Sequence, residues 1–441
     1  MSRPRRVYIE TYGCQMNLND SEVMAGILTR SGYRIVNSPD EADVILLNTC
    51  AVREHAERRV FGRLSNLKVY KQRNPMLILG VCGCMAQHLG DRILEKAPYV
   101  DLILGPDAYR SLPHALAKVR RDEPYLNLRL DASELYEDVE PMRERGVRAW
   151  VTIMRGCNKF CTFCIVPFVR GRERSRPLEN ILDEIKSLAD EGYKEIVLLG
   201  QNVNSYNDGR HNFADLLDRV AEVDGILRIR FTAPYPSDMT DEVIEVMASH
   251  DNICKHVHLP LQAGSDRILK LMRRGYTSDE FLDLVDKLRG RMPEVGLSTD
   301  IIVGFPTETE EDFRATYEMM ERIRFDSAFT FKYSPREGSI ASKRFRDDVP
   351  EEVKSRRLAE IIDLQERISL EKNRTFIDRE VEVLVEGPSK KGEGDLFGKT
   401  DDFRTTVFPD DGSSPGEIAR VIVKRVTSHT LIGESLCGGR R

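Results

Sequence analysis

Residues 155–164 read RGCNKFCTFC and directly follow an apolar stretch that is typical of a buried strand. Their cysteines, Cys157, Cys161 and Cys164, have the spacing C-x3-C-x2-C, which places three thiolates on one tight loop. A structural zinc site requires four ligands, and the next histidine in the chain is His211. Three cysteines suit a four-iron cluster that leaves one iron open to a cofactor or substrate. We therefore interpret this stretch as an iron–sulfur loop, with a zinc or purely structural role as the alternative.

This loop lies at the start of a regular alternation of strand-like and helix-like segments. The predicted strands are 150–154, 195–199, 227–231, 256–259, 298–303 and 328–333. The predicted helices between them are 177–191, 212–223, 238–249, 264–290 and 307–323. Six βα units in succession predict a curved parallel sheet that forms a barrel or part of one. In such folds the chemistry lies at the carboxyl ends of the strands, which is where the cysteine loop lies.

The first 110 residues also alternate between strand and helix signals, which predicts a parallel α/β domain. The predicted strands are 7–10, 44–47 and 76–81, and the predicted helices are 20–30 and 54–70. One cysteine follows each strand, namely Cys14, Cys50 and Cys84. Strand ends of one polarity share an edge of a parallel sheet, so these thiolates can converge although they are distant in sequence. The alternative is that they are buried small hydrophobic side chains, as free cysteines often are.

The chain changes character again near its carboxyl terminus. A charged helix at 351–372 is followed by short β segments at 380–385, 404–407, 419–426 and 430–432, which predict a small all-β module, an open barrel. We expect an amino-terminal α/β domain at 1–125, a charged linker with little core of its own at 126–146, the βα barrel at 147–375 and the β module at 376–441.

Composition sets limits on the function. The chain has 441 residues, which favours two to four domains, and a net charge of −6, which excludes a uniformly basic nucleic-acid binder. Nine cysteines is an odd number, which argues against a disulfide framework and for metal ligation. No apolar stretch approaches the roughly 18–20 residues that span a bilayer, and no secretory signal follows the basic start. We expect a cytoplasmic protein that makes no membrane contact.

The cysteine pattern resembles a known family. The C-x3-C-x2-C motif resembles the signature of radical S-adenosylmethionine enzymes, and its combination with the three upstream cysteines resembles the methylthiotransferases, whose amino-terminal domain carries a second [4Fe–4S] cluster. The β module resembles their TRAM domain, an RNA- or substrate-binding barrel. The resemblance extends over nearly the whole chain and favours convergence of the upstream thiolates. The remaining cysteines match no motif, and we expect them to be structural: Cys82, Cys254 and Cys437.

The resemblance implies two [4Fe–4S] clusters. We name them the loop site, at Cys157, Cys161 and Cys164, and the upstream site, at Cys14, Cys50 and Cys84. The open iron of the loop site would bind S-adenosyl-L-methionine, and reduction would release a 5′-deoxyadenosyl radical that removes hydrogen from an adenine carbon. The upstream site would supply or carry the sulfur, and a second S-adenosylmethionine would donate the methyl group. An aromatic carbon–hydrogen bond is not readily broken by acid–base catalysis, so a radical generated from a cofactor suits this chemistry.

Further strand ends resemble the cofactor cradle of the family. The candidate contacts to S-adenosylmethionine are Phe163, Gly200, Gln201, Asn202, Gln262 and Gly304. By resemblance, Gln201 and Asn202 would bind the methionine portion and Phe163 would pack near the adenine. Each of these positions is also compatible with an ordinary βα turn. The sequence departs from the family at one point, because Tyr235 stands where relatives commonly have a histidine.

The stretch 154–176 is most similar to the branch that modifies isopentenyladenosine beside the anticodon of tRNA. Four arginines alternate within it and would form one basic edge if the segment were extended; the alternative is a solvated charged strand or ion pairs with Glu173. In the β module, an aromatic ring and two cations match a family segment, although the ring is equally compatible with a core position. The candidate RNA contacts are Arg170, Arg172, Arg174, Arg176, Phe397, Lys399 and Arg404.

Other functions remain open from the sequence. The resemblance also includes enzymes that modify an aspartate of a ribosomal protein or threonylcarbamoyladenosine in tRNA. A more distant alternative is a non-catalytic iron–sulfur scaffold that binds RNA, although a scaffold has no need of a cluster with an open iron. The expected partners are an isopentenyladenosine-containing tRNA, an electron donor of flavodoxin or ferredoxin type, and a sulfur donor.

Overall fold

The computed structural model describes residues 5–51, 54–119, 123–390, 392 and 394–436. Cys437, one of the cysteines expected to be structural, lies outside them. Within these ranges no helix combines the length and the apolar character needed to cross a membrane.

The amino-terminal part forms one six-stranded parallel sheet, which confirms the predicted α/β class. Its strands are β1 (Arg6–Tyr12), β2 (Arg34–Ile35), β3 (Val44–Thr49), β4 (Ile78–Gly83), β5 (Leu102–Leu104) and β6 (Tyr125–Asn127). Its helices are α1 (Gln15–Arg30), α2 (Glu54–Arg73), α3 (Cys84–Leu89), α4 (Arg92–Lys96) and α5 (Leu112–Lys118). The spatial order is β2-β1-β3-β4-β5-β6, so the order reverses between β1 and β3. Open parallel sheets bind ligands at the carboxyl end of such a switch point.

Alternate residues of β3 belong to two different apolar clusters. Leu46 packs in one cluster and Leu47 in the other, because successive side chains of a strand point to opposite faces of the sheet. The segment 126–146 lies against one of these clusters: Tyr136 and Val139 are buried in it, and the rings of Tyr136 and Tyr109 stack with centroids 5.7 Å apart. This segment therefore adds side chains to the amino-terminal core.

The central part contains the predicted six parallel strands in an open, partial barrel. With the short pair β8 and β9, which lies outside these six, the strands of this part are β7 (Arg148–Thr152), β8 (Met154–Arg155), β9 (Arg174–Ser175), β10 (Glu195–Leu199), β11 (Arg228–Phe231), β12 (His256–His258), β13 (Gly296–Val303) and β14 (Ser327–Lys332). The barrel is formed by the ladders β7-β10-β11 and β12-β13-β14, which a parallel bridge between Ile229 and Ile253 joins. The short antiparallel pair β8–β9 stands apart and closes the base of the cysteine loop.

The helices of the central part are α6 (Val166–Arg170), α7 (Leu178–Asp190), α8 (Phe213–Ala221), α9 (Asp241–Ser249), α10 (Asp266–Met272), α11 (Ser278–Arg291), α12 (Glu310–Ile323), α13 (Ile340–Arg344) and α14 (Glu351–Arg374). The single helix predicted at 264–290 is wrong, because two helices occupy this range. Arg273 and Gly275 both adopt positive φ and end α10, and Thr277 begins α11 with a capping box to Glu280.

The carboxyl-terminal module is a small all-β barrel, as predicted, but it has five strands where the sequence indicated four segments, and it is closed rather than open. Its strands are β15 (Glu380–Pro388), β16 (Asp395–Lys399), β17 (Thr405–Pro409), β18 (Ile418–Val426) and β19 (Thr430–Ser435). The order is β15-β16-β17-β19-β18, and the parallel pairing of β17 with β19 completes the closure. Closure removes the exposed strand edges that an open barrel would leave.

Two buried arginines of β11 attach this barrel to the central part. Arg228 and Arg230 extend from the base of the sheet, and Arg230 also pairs with Glu195 at 3.0 Å. Their guanidinium groups donate to main-chain oxygens of Glu382, Lys399, Thr400 and Asp401. The contact between the two parts is therefore hydrogen-bonded and buried.

Candidate active site

Strand register brings the three upstream cysteines to one edge of the amino-terminal sheet. Tyr12 pairs with Thr49, and Thr49 pairs with Gly83, so these three residues form a row across β1, β3 and β4. Cys50 and Cys84 each come one residue after the row, and Cys14 comes two residues after it. The upstream site thus lies at the carboxyl ends of neighbouring strands and beside the switch point, as the strand pattern predicted.

The upstream cysteines also lie where helices begin. Cys14 is the N-cap of α1, and its carbonyl accepts hydrogen bonds from the amides of Asn17 and Leu18. Cys84 is the first residue of α3. The positive end of the helix dipole favours a thiolate at these positions. Burial nevertheless raises the pKa of the Cys84 thiol, while the Arg170 guanidinium lowers it and the nearby Cys14 raises it.

A buried cluster of charges joins the upstream site to the cysteine loop. Asp20 of α1 is fully buried and accepts hydrogen bonds from Arg155 and Arg170, each at 2.7 Å. The Nε of Arg170 also donates to the sulfur of Cys84 at 3.1 Å. Arg155 lies two residues before Cys157, and its guanidinium lies 4.7 Å from the centre of the Tyr136 ring. The two candidate sites are therefore connected through one ionic network.

The cysteine loop has an unusual backbone that main-chain contacts hold in place. Gly156 has φ of +80°, and Phe160 has φ of +48°. The amide of Cys157 donates to Gly171 O at 3.2 Å, and the amide of Cys164 donates to Cys161 O at 3.0 Å. The amide and hydroxyl of Thr162 donate to the last carbonyls of α10, at 3.0 and 2.9 Å. The loop is therefore docked on the barrel before any cofactor is considered.

The loop thiols are desolvated. Burial raises the pKa of Cys157 to about 11 and that of Cys164 to about 12, so both are neutral near neutral pH in the absence of metal. Binding of iron must therefore release their protons. Within the described ranges, no group of three or more His, Cys, Asp or Glu side chains is close enough to hold a single ion.

A buried arginine, Arg274, contacts a sulfur of the loop site. Arg274 is buried, and its Nη1 donates to the sulfur of Cys161 at 3.3 Å. Its other nitrogens donate to the hydroxyl of Tyr276 and to Pro260 O, both at 2.9 Å. The ring of Tyr235 lies 4.3 Å from the guanidinium carbon, and its hydroxyl donates to the carbonyl of Arg274. Tyr235 therefore supports this arginine.

Three predicted cofactor residues carry buried polar atoms without a partner among the described residues. These atoms are Nε2 of Gln201, Oδ1 of Asn202 and Oε1 of Gln262. The other amide atom of Gln201 accepts a hydrogen bond from the amide of Gly156, and that of Asn202 donates to Asp238 at 2.9 Å. Buried polar groups are normally satisfied, so these three atoms are available to a polar ligand or to water. One free donor and two free acceptors fit the carboxylate, ammonium and hydroxyl groups of S-adenosylmethionine.

The other predicted cofactor residues have local roles. A Cβ on Gly200 would lie 2.7 Å from Met154 Cγ, and one on Gly304 would lie 2.4 Å from Lys354 Cγ. Gly304 also has φ of +72°, so side-chain packing and backbone conformation already account for glycine there. Phe163 is half-buried and packs against the barrel core. These contacts neither require nor exclude a cofactor at the three positions.

The structure does not bring the four alternating arginines together on one basic edge. Arg170 and Arg176 are buried, and Arg174 forms an ion pair with Asp107. Only Arg172 of the four is exposed, with its guanidinium 4.4 Å from the centre of the Phe160 ring. The alternation does not persist because α6 and the left-handed Gly171 interrupt the extended segment.

The three candidates in the barrel also differ from one another. Phe397 is half-buried, and Lys399 donates to the hydroxyl of Thr405 at 2.7 Å. Arg404 pairs with Asp402 at 2.7 Å and also reaches Asp326, outside the barrel. Arg404 thus forms ion pairs that attach the barrel, and its guanidinium is not free to contact RNA.

Three functional candidates were missed in the sequence: Asp20, Arg155 and Arg274. Asp20 follows Cys14 by six residues on a helix, which is an ordinary position for a solvated acid. Arg155 belongs to the cysteine loop, where the cysteine spacing assigns no role to an arginine. The only local signal for Arg274 is its position in the positive-φ segment that ends α10. Their contacts depend on tertiary structure.

Three family models match the chain. A model described as the radical SAM superfamily matches residues 151–320, one described as uncharacterized protein family UPF0004 matches residues 6–105, and one for the TRAM domain matches residues 374–436.

Several curated relatives match over nearly the full length. A protein of Chloroherpeton thalassium, named tRNA-2-methylthio-N(6)-dimethylallyladenosine synthase, is 48% identical over 98% of this chain and 96% of its own. Proteins with the same name from Porphyromonas gingivalis and Carboxydothermus hydrogenoformans are 47% and 50% identical. The first covers 98% of this chain and 95% of its own, and the second covers 94% and 95%.

Solved structures agree with the fold. The radical S-adenosylmethionine methyltransferase TsrM from Kitasatospora setae superposes with a TM-score of 0.56 at 15% identity, covering 77% of each chain. The cobalamin-dependent S-adenosylmethionine radical enzyme OxsB gives a TM-score of 0.52 at 12% identity, covering 82% of this chain and 56% of its own. At such identities the likeness shows a shared fold only.

Proposed function

The chain belongs to the family of tRNA-2-methylthio-N6-dimethylallyladenosine synthases, and on that premise we propose that it converts N6-isopentenyladenosine beside the anticodon of tRNA to the 2-methylthio derivative. The observation that carries the proposal is the presence of two separate cysteine sets, one at the sheet edge and one on the barrel loop, linked through Asp20. A methylthio transfer needs both a radical source and a sulfur source, which two sites can supply.

We assign one [4Fe–4S] cluster to the loop site and a second to the upstream site. When bound, the two clusters and S-adenosylmethionine supply reductive formation of the 5′-deoxyadenosyl radical, delivery of sulfur and donation of the methyl group. Support for the two sites comes from the shared strand register of the upstream cysteines and from the docking of the loop on α10.

The protein groups around these sites position the reactants. The unpaired amide atoms of Gln201, Asn202 and Gln262 would hold polar groups of S-adenosylmethionine. Gln201 also binds the amide of Gly156 through its other amide atom, so cofactor contact and loop position are coupled. Burial of Cys157 and Cys161 limits the access of water to this part of the site, which would limit side reactions of a radical.

Exposed groups near the loop and on the barrel provide the tRNA contacts. Of the predicted set, Arg172, Phe397 and Lys399 keep accessible surface, and we assign phosphate contact to the cations and base stacking to the ring. The protein works where tRNA is found, in the cytoplasm. A flavodoxin- or ferredoxin-type electron donor and a sulfur donor complete the reaction.

The test is an anaerobic assay of the full chain. The protein is reconstituted with iron and sulfide, then incubated with dithionite, S-adenosylmethionine and isopentenylated tRNA, and the digested RNA is examined by mass spectrometry. We expect 2-methylthio-isopentenyladenosine and 5′-deoxyadenosine, both lost in Cys157→Ala. The matched control is Cys254→Ala, a buried cysteine outside both sites, which should retain both products.

Other outcomes distinguish the alternatives. If 5′-deoxyadenosine forms while this tRNA stays unmodified, the substrate assignment is wrong, and threonylcarbamoyladenosine tRNA and the ribosomal protein are tested next. If about eight irons bind per chain, as two four-iron clusters require, but neither product forms, the scaffold interpretation replaces the enzyme.

A further inference from the structure

Each candidate cluster site has one buried arginine that donates to the sulfur of one of its cysteines. Arg170 donates to Cys84 at 3.1 Å in the upstream site, and Arg274 donates to Cys161 at 3.3 Å in the loop site. We propose that these arginines are positioning residues that set the reduction potentials of the two clusters separately. This inference rests on the clusters assigned under the proposed function and adds a residue-level control of each one.

The surroundings of Arg170 carry an excess of positive charge. Asp20 is the carboxylate that both Arg170 and Arg155 contact, so two buried cations share one buried anion. The neighbouring Asp107 belongs to Arg174, with which it forms its own ion pair. Two nitrogens of Arg155 and the Nη1 of Arg170 have no hydrogen-bond partner in the part of the chain that the structure describes. Buried charge is costly unless it is compensated, and an anionic thiolate-ligated cluster supplies the missing compensation.

The charge of Arg274 also lacks a compensating carboxylate within the described ranges. Arg274 is buried, and no carboxylate lies within ion-pair distance of it among the described residues. A tyrosine hydroxyl, a carbonyl and the cysteine sulfur occupy its donors, and the ring of Tyr235 lies against its face. The guanidinium is therefore fixed in place with its charge directed at Cys161, and the loop cluster is the anion that would balance it.

The effect on each cluster has a definite sign. Reduction adds an electron to a cluster that is already a net anion, so a nearby cation and an N–H···S hydrogen bond stabilise the reduced form. Loss of either arginine should lower the reduction potential of the cluster that it contacts. Arg170 and Arg274 belong to different hydrogen-bond networks and contact different cysteines. Their effects should consequently be separable, one cluster at a time.

The test uses the full chain in two backgrounds that each retain one cluster. Alanine at the three loop cysteines leaves only the upstream cluster, and alanine at the three upstream cysteines leaves only the loop cluster. Arg170→Met, Arg170→Lys and Arg274→Met are introduced into both, and each potential is measured by redox titration followed by electron paramagnetic resonance. Arg172→Met is the matched control, because Arg172 lies on the same segment as Arg170 but is exposed, and its guanidinium lies against the Phe160 ring rather than against a sulfur of the described cysteines.

We expect a crossed pattern. Arg170→Met should lower the potential of the upstream cluster only, with Arg170→Lys between it and the native chain because lysine retains the charge. Arg274→Met should lower the potential of the loop cluster only, and Arg172→Met should change neither. Arg170→Met leaves Asp20 paired with Arg155, a balanced pair, so the fold should persist.

Two results would overturn the inference. One is a full complement of iron with unchanged potentials in Arg170→Met and Arg274→Met, and the other is an equal shift of both clusters by either change. Neither result bears on the methylthio product of the native chain, which is measured independently. Conversely, a native chain that binds no clusters refutes the proposed function itself.

Discussion

At the residue scale, the backbone of Gly156 determines whether the loop site can form. With φ of +80°, an added Cβ would lie 2.0 Å from the carbonyl oxygen of Arg172, and a main-chain atom cannot move away as a side chain can. We predict that Gly156→Ala abolishes the loop cluster and leaves the upstream cluster. The reconstituted variant would then bind about four irons per chain rather than about eight. Iron and sulfide analysis of the purified protein measures this directly.

Gly62→Ala is the control for that change. Gly62 lies in α2, an added Cβ would meet no atom within 4 Å, and alanine favours a helix over glycine. This variant should keep the full iron content. A Gly156→Ala protein with about eight irons would contradict the role given to the glycine.

The residues of the candidate site differ in how far sequence could reveal them. The loop cysteines follow from their spacing, and the upstream cysteines from their positions after three strands. The alternating arginines were misread because alternation predicts a shared edge only in an extended chain, whereas Arg170 ends a helix and Gly171 turns the backbone. Arg274 contacts Cys161 across 113 positions of sequence, a contact that no local pattern contains.

At the element scale, α1 packs a polar face against the central part of the protein. Glu22 on this helix accepts a hydrogen bond from Asn19 at 3.2 Å and lies 3.7 Å from Arg143. Burial raises the pKa of Glu22 to about 7, and Arg143 opposes the increase. Between the usual glutamate pKa of 4.5 and about 7, the folded protein keeps a proton on Glu22 that the unfolded chain releases. The stability that Glu22 contributes is complete at low pH and is lost as the pH rises through about 7.

We predict that Glu22→Gln removes this loss, because glutamine resembles the protonated acid. Each pKa unit corresponds to about 1.4 kcal/mol, so the variant should gain up to about 3 kcal/mol of unfolding free energy over the native chain between mildly acidic and mildly alkaline pH. Urea unfolding over this pH range measures the difference. The control is Glu140→Gln. Glu140 is exposed and pairs with Arg30 of α1, so the stability of this variant should change with pH in parallel with that of the native chain. If the unfolding free energy of Glu22→Gln changed with pH in parallel with that of the native chain, the prediction would be refuted.

Element type was predicted well wherever the pattern was long. The six barrel strands and most of their helices appear where the alternation placed them. The failures are short or interrupted elements. Strand β5 has three residues, too few for a periodic signal, and the break in 264–290 depends on a left-handed conformation of Arg273, a residue type that rarely adopts it.

At the scale of the whole molecule, Arg404 helps to attach the closed barrel to the central part. Its side chain is buried between Asp402 of the barrel and Asp326 outside it, and it also reaches Asn373 of α14. We predict that Arg404→Met costs about 3 kcal/mol, as expected when one partner of a buried ion pair is removed. Hydrogen exchange of β17 should become faster, and mass spectrometry of peptides from 400–409 measures it.

The control is Arg420→Met, within the same barrel. Arg420 pairs with Glu380 on the exposed surface, where an ion pair contributes less than about 1 kcal/mol, so exchange in β17 should stay at the native rate. Equal protection in the two variants would show that Arg404 does not attach the barrel.

The order of the domains was predictable, but their contacts were not. Arg404 matched a family segment and was assigned to RNA, whereas its partner Asp326 is 78 positions away in another domain. Charge complementarity between domains has no signature in a single sequence, because neither partner indicates the other.

The attachment of the barrel through Arg228 and Arg230 has a consequence for protein engineering. Their hydrogen bonds to the barrel all end on main-chain oxygens, so these bonds do not depend on which side chains stand at those four positions. A barrel with the same backbone path and a different outer surface can keep these bonds, provided that it retains the side-chain contacts of Arg404 with Asp326 and of Asp401 with the amide of Lys255. The outer surface of the module is therefore the part that can be redesigned, while the few residues at its base must be kept.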